Sequence, residues 1–179
     1  MADQDQVIER LRSLDPKKID QATFVALLRE SRGADLAALD AQTFARLITR
    51  ASADQIRAVL AVPELRGVVL AEIFARMGDH LRTDRAAHTS AVVHWRLTGG
   101  TGEGGYDRYE TVIEHGTCVV HRERTREPRV TITVRLADFV RLVTHNASAP
   151  VLFMTGKLTV AGDLGFAAGL TSLFDLPRG

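Results

Sequence analysis

The chain has 179 residues, 45% hydrophobic and 25% charged, with a formal net charge of +1. This is the composition of an ordinary globular protein and excludes a disordered, collagen-like or low-complexity chain. One cysteine excludes an internal disulfide framework and a cysteine-based zinc site, near-neutral charge argues against nucleic-acid binding by counterion release, and no apolar run reaches the roughly 20 residues of a membrane-spanning helix.

The N-terminus, Met1-Ala2-Asp3-Gln4-Asp5, is acidic and polar, unlike a secretory signal, so a cytoplasmic location is expected. Up to about Arg82 the chain reads as helices. Val7, Ile8, Leu11 and Leu14 recur at helical spacing, and Asp15-Pro16 stops that helix. A short repeat with a step of 20 residues follows. Ile19-Asp20-Gln21-Ala22-Thr23-Phe24 precedes Leu27 and Leu28; Leu39-Asp40-Ala41-Gln42-Thr43-Phe44 precedes Leu47 and Ile48. Each Asp can accept from the free N–H groups of a first helical turn. Ser52 and Asp54 open a third short helix with Ile56, Val59 and Leu60. Such helices are too short to stand alone and must bury their stripes against one another or a partner. Pro63 starts a longer helix with Leu65, Val69, Ile73, Phe74, Met77 and Leu81 inward.

After about Ala87 the hydrophobic period becomes two. Val93, Trp95 and Leu97 form one strand, and Tyr109, Thr111 and Ile113 a second. Thr117 to Arg122 form a third, and Val130, Ile132 and Val134 a fourth. Turns at Glu114-His115-Gly116 and Glu127-Pro128 predict hairpin succession, with one dry face that needs a cover. A helix over Leu136 to about His145, with Phe139, Leu142 and Val143 inward, supplies part of it. The run Ala149 to Met154 is read as an apolar loop, Gly156 to Gly162 as a fifth strand and Asp163 to about Phe174 as a final helix.

Signals for covalent chemistry are weak. Gly100-x-Gly102-x-x-Gly105 joins strand to strand, whereas a dinucleotide site needs a strand-to-helix join, so a hairpin loop is expected. There is no Gly-x-Ser-x-Gly and no Ser-x-x-Lys. His94, His115 and His121 are read as wet-face histidines and Cys118 as a structural thiol; no catalytic residue, metal or cofactor is assigned. Arg122, Arg124, Arg126 and Arg129 interleave with Glu123 and Glu127, which reads as a solvated turn, with contact to anionic headgroups as the alternative.

The stretch Phe153-Met154-Thr155-Gly156-Lys157-Leu158-Thr159-Val160-Ala161-Gly162-Asp163, followed by an apolar helix to Leu170, resembles the C-terminal part of the sterol carrier protein type two family. Val93 to Leu97 is similar to that family's first strand, and Arg129 to Val134 followed by Asp138 to Leu142 to its strand-then-helix step. The resemblance covers roughly Leu65 to Leu176 and leaves residues 1 to 62 as an N-terminal helical extension. It implies an α+β domain over 63–179, a five-stranded, mainly antiparallel sheet covered by helices around an apolar tunnel. It also implies non-catalytic binding or transfer of a fatty acyl, phospholipid or sterol-like ligand.

The residues point the same way. Leu164, Phe166, Ala167, Leu170, Leu173 and Phe174 cover more of the last helix than one buried stripe requires, and Gly165, Ala168 and Gly169 keep it thin. The candidate ligand-binding residues are Trp95, Phe139, Leu142 and Val143; Leu152, Phe153 and Met154; Leu158 and Val160; and Phe166, Leu170, Leu173 and Phe174. The expected partners are a hydrophobic small molecule, a membrane surface met transiently and a second copy of the chain, with no nucleic acid. The alternative function is an interaction or regulatory module that uses the helical repeats for dimerisation or partner docking.

Overall fold

The short helices at the start of the chain are set by their caps. In the computed structural model, which describes residues 2–31 and 36–176, Asp20 Oδ1 accepts from Thr23 N at 2.8 Å and Asp40 Oδ1 from Thr43 N at 2.8 Å. These bonds open α2 (Gln21–Glu30) and α3 (Ala41–Arg50), and Ser52 with Gln55 forms a reciprocal capping box at the start of α4 (Ala53–Leu60). Helix α1 (Ala2–Ser13) precedes them and α5 (Pro63–Met77) follows. The repeat buries its aromatic pair: Phe24 is fully enclosed and Phe44 nearly so, beside Leu28, Leu47 and Ile48. Gln55, also buried, donates through Nε2 to the carbonyls of Pro16 and Ile19. The repeated phenylalanines therefore complete a core.

Contacts divide the chain into two compact units, one running to Ile73 and the other Phe74–Leu176. The division falls inside α5.

The second unit is built on a five-stranded mixed sheet: β1 (Ala91–Thr98), β2 (Tyr106–Glu114), β3 (Thr117–His121), β4 (Val130–Arg135) and β5 (Leu158–Gly162). The spatial order is β3-β2-β1-β4-β5. The β1–β2, β2–β3 and β4–β5 pairs are antiparallel, but β1 and β4 are parallel. Hairpin succession therefore holds for the first three strands only. Instead of pairing with β3, the fourth crosses the sheet and pairs with the free edge of β1. The Glu127-Pro128 turn belongs to that crossover, residues 122–129. The Gly100-to-Gly105 segment is the β1–β2 loop, as expected: a Cβ at Gly100 would lie 2.3 Å from Asp107 N.

Helix α6 (Thr83–Ala86) precedes the sheet. One face of the sheet is covered by the end of α5, by α7 (Leu136–Val143), α8 (Ala149–Met154), α9 (Leu164–Gly169) and a 3-10 turn over Leu170–Leu173. The run Ala149 to Met154 is thus a helix, not a loop. Ser148 caps Val151 N, and Pro150 in the first turn suits a helix start. The last helix is shorter than expected: after Gly169 the chain tightens into the 3-10 turn, and Phe174 is extended and bridges Leu81. An aromatic cluster joins helices to sheet, with Phe74 stacked on Tyr109 at 3.9 Å and on Phe139 at 5.3 Å and Trp95 edge-on to Phe139 at 5.4 Å.

Candidate functional site

Between the helices and the sheet lies an apolar cavity of about 350 Å³. Its floor is one cross-strand row. Trp95 on β1 stands opposite Ile132 on β4, and Ile132 stands opposite Val160 on β5. Leu158 extends the floor, and Met77 joins it from the end of α5. Trp95 donates its indole N–H to Thr111 Oγ1 at 2.9 Å, so the ring offers the cavity only hydrocarbon.

Three helices make the walls: α7 contributes Phe139, Leu142 and Val143, and α8 contributes Ala149, Pro150, Phe153 and Met154. From α9 come Leu164, Ala167 and Ala168, and the chain beyond it adds Leu170, Thr171, Phe174 and Leu176. Thr171 carries the one hydroxyl among these lining side chains, and none is charged. A cavity of this kind takes hydrocarbon and gives a buried ionised group no counter-charge.

Ten of the thirteen candidate residues from the sequence meet here: Trp95, Phe139, Leu142, Val143, Phe153, Met154, Leu158, Val160, Leu170 and Phe174. Leu152, Phe166 and Leu173 do not. Leu152 is on the packed side of α8 and is 3% exposed. Phe166 lies under the Arg129 guanidinium, 4.4 Å from its ring centre. Leu173 is buried in the 3-10 turn, where its carbonyl accepts from Arg82 N. The small residues Ala167 and Ala168 and the row partner Ile132 also line the cavity, though they are not among the thirteen. Alternation marked Ile132 as inward-facing, but only the β1–β4 register brings it beside Trp95.

The opposite face of the sheet holds a different site. His94 and Glu110 are cross-strand partners there, and both are buried. This overturns the wet-face reading of His94, because the crossover covers it. Glu110 Oε2 accepts from His94 Nε2 at 3.0 Å, Thr125 N at 2.9 Å and Arg126 N at 3.0 Å, while Oε1 accepts from Thr125 Oγ1 at 2.6 Å. Burial pushes the Glu110 carboxyl upward, but these bonds to its charged form outweigh it and hold it at about 2. Burial alone raises the Cys118 thiol to about 11, which leaves it unreactive at neutral pH. Among the described residues no group of three His, Cys, Asp or Glu side chains could hold a metal, and no helix is long and apolar enough to cross a membrane.

The SCP-2 sterol transfer family model matches residues 70–175. The chain belongs to this family. Hydroxysteroid dehydrogenase-like protein 2 of Bos taurus is 26% identical over 113 residues, 63% of this chain and 26% of that protein. The chain thus spans about a quarter of that relative's length. Among solved structures, the stereoselective inverting sec-alkylsulfatase Pisa1 from Pseudomonas sp. superposes with a TM-score of 0.52 at 14% identity, over 96% of this chain and 30% of that one. The likeness is one of fold. Sterol Carrier Protein 2 from Yarrowia lipolytica, in its apo form, is 22% identical over 80% of this chain and 98% of that one, with a TM-score of 0.44. SCP-2 membership ties the chain to lipid binding and transfer in general.

Proposed function

We propose that the sheet-bearing unit binds one hydrophobic ligand (a fatty acyl chain, phospholipid tail or sterol-like body) in this cavity and carries or presents it without covalent chemistry. The observation that supports this most directly is a lining of hydrocarbon with one hydroxyl and no charge. The volume, about 350 Å³, falls near the lower end of the roughly 300–1,000 Å³ of small-molecule pockets. Each buried methylene contributes about 0.8 kcal/mol, so a chain of around sixteen carbons gains on the order of 10 kcal/mol before ordering losses. A charged head would stay at the mouth, because the interior offers it no partner.

The test is binding of a fluorescent long-chain fatty acid to delipidated protein, compared with Ala168→Trp. An indole at this position on the thin helix fills the cavity without opening a void. The expected result is loss of binding with an intact near-UV circular dichroism spectrum. A folded variant that binds as tightly as the parent overturns the reading.

A further inference from the structure

The cavity mouth is bordered by side chains that water solvates poorly. Phe153 is 48% exposed, Met154 80% and Leu164 57%, and all three also line the cavity, which places them where it meets solvent. Val151 is 54% exposed and stands three residues before Met154 on α8, so the two share a helix face. Of the large hydrophobic residues most exposed among the described residues, these four lie on α8 and α9, and Val119 is elsewhere.

Along α8 and the turn that follows it the charge has one sign. From Phe139 to Gly162 the sequence holds Arg141 and Lys157 but no Asp or Glu. Lys157 sits in the turn that closes α8, its N–H donating to the Leu152 carbonyl, one short segment from Met154. The carboxylates flanking that stretch are matched: Asp138 with Arg141 at 3.6 Å and Asp163 with Arg129 at 2.9 Å. Asp175 is exposed and lies between two lining residues, outside that stretch.

We propose that this rim, made by α8 and the first turn of α9, docks on an anionic lipid bilayer. Val151, Phe153, Met154 and Leu164 enter the interface and Lys157 meets the phosphates. A cavity entrance pressed into the interface lets a hydrocarbon tail pass from bilayer to protein without crossing water. The basic crossover is a poorer candidate: Arg122 bonds Tyr109 Oη, Arg126 pairs with Glu114 and Arg129 with Asp163. The proposal rests on the lipid-binding reading above, and one basic side chain near an anionic surface strengthens binding about fivefold.

The experiment is co-sedimentation of the full chain with two kinds of vesicle, phosphatidylcholine alone and equal parts phosphatidylcholine and phosphatidylglycerol. Val151→Asp with Lys157→Glu is the variant, since neither residue lines the cavity. Binding of the fluorescent fatty acid in vesicle-free solution is measured in parallel. The expected result is binding to the anionic vesicles, weakened about tenfold or more in the variant, with fatty-acid binding unchanged. A parent protein that binds fatty acid but neither vesicle overturns the docking alone and leaves the rim to a protein partner. One that binds neither fatty acid nor vesicle overturns the function as well. Vesicle binding that the variant retains in full assigns the contact to another face, and equal binding to both vesicles refutes the role of Lys157.

Discussion

Replacing Glu110 by Gln tests the account of the second sheet face. The carboxylate is fully enclosed and accepts from four donors: His94 Nε2, Thr125 N, Thr125 Oγ1 and Arg126 N. Glutamine keeps the shape but has one acceptor oxygen, and its amide hydrogens then face groups that are themselves donors. Depression of the Glu110 carboxyl to about 2 from an ordinary 4.5 corresponds to roughly 3 kcal/mol of folding stability. Because the folded value lies below the unfolded one, this contribution is complete above about pH 5 and is lost as pH falls towards 2. Urea unfolding of both proteins should therefore show a gap of about 3 kcal/mol at pH 7, shrinking to about half near pH 3. A gap under about 0.5 kcal/mol at pH 7, or one that does not change with pH, refutes the reasoning.

Two glycines separate backbone strain from collision. Gly162 has φ of 103° and a Cβ there would lie 2.5 Å from the Arg129 carbonyl oxygen, whereas Gly156 has φ of 69° and open space around it. Gly162→Ala should cost more than about 2 kcal/mol and Gly156→Ala about 1 kcal/mol, read from urea midpoints; equal losses would show that the collision is relieved at no cost. Ser52→Ala removes half of the capping box with Gln55 and should lower the stability of the helical unit by about 1 kcal/mol, measured by amide hydrogen exchange in α4. No change in exchange there would refute the cap's role.

What was legible in the sequence is what is decided within a few residues. Asp20 and Asp40 cap at a separation of three residues, and the alternation of Val93, Trp95 and Leu97 is a property of one strand. The pairing of β4 was not legible, because turn residues at Glu127-Pro128 suit both a hairpin and a crossover, and adjacent strands pair more often. The error carried over to His94, whose face is covered only if the chain crosses it. The misplaced cavity residues have a similar origin. The phase of α8 is set by Ser148, and the end of α9 by Gly169. A uniform helix puts Leu173 on the same face as Leu170, whereas the 3-10 turn after Gly169 takes it out of the cavity, and Phe166 is engaged by Arg129 instead.

The two faces of the sheet are linked through that crossover. Residues 122–129 read Arg-Glu-Arg-Thr-Arg-Glu-Pro-Arg and contain no large apolar side chain, so hydrophobic burial cannot fix them to the sheet. What holds them is polar: Glu110 grips two successive backbone N–H groups and the Thr125 hydroxyl, Arg126 pairs with Glu114, and Arg129 N donates to Val92 O at 2.8 Å. Arg129 is the last residue before β4, so this last bond enters the register that sets Ile132 beside Trp95. A buried carboxylate on one face thereby helps to align the apolar row that forms the cavity floor on the other. The sheet has room for that arrangement because its period of two puts His94 and Trp95, neighbours in sequence, on opposite sides.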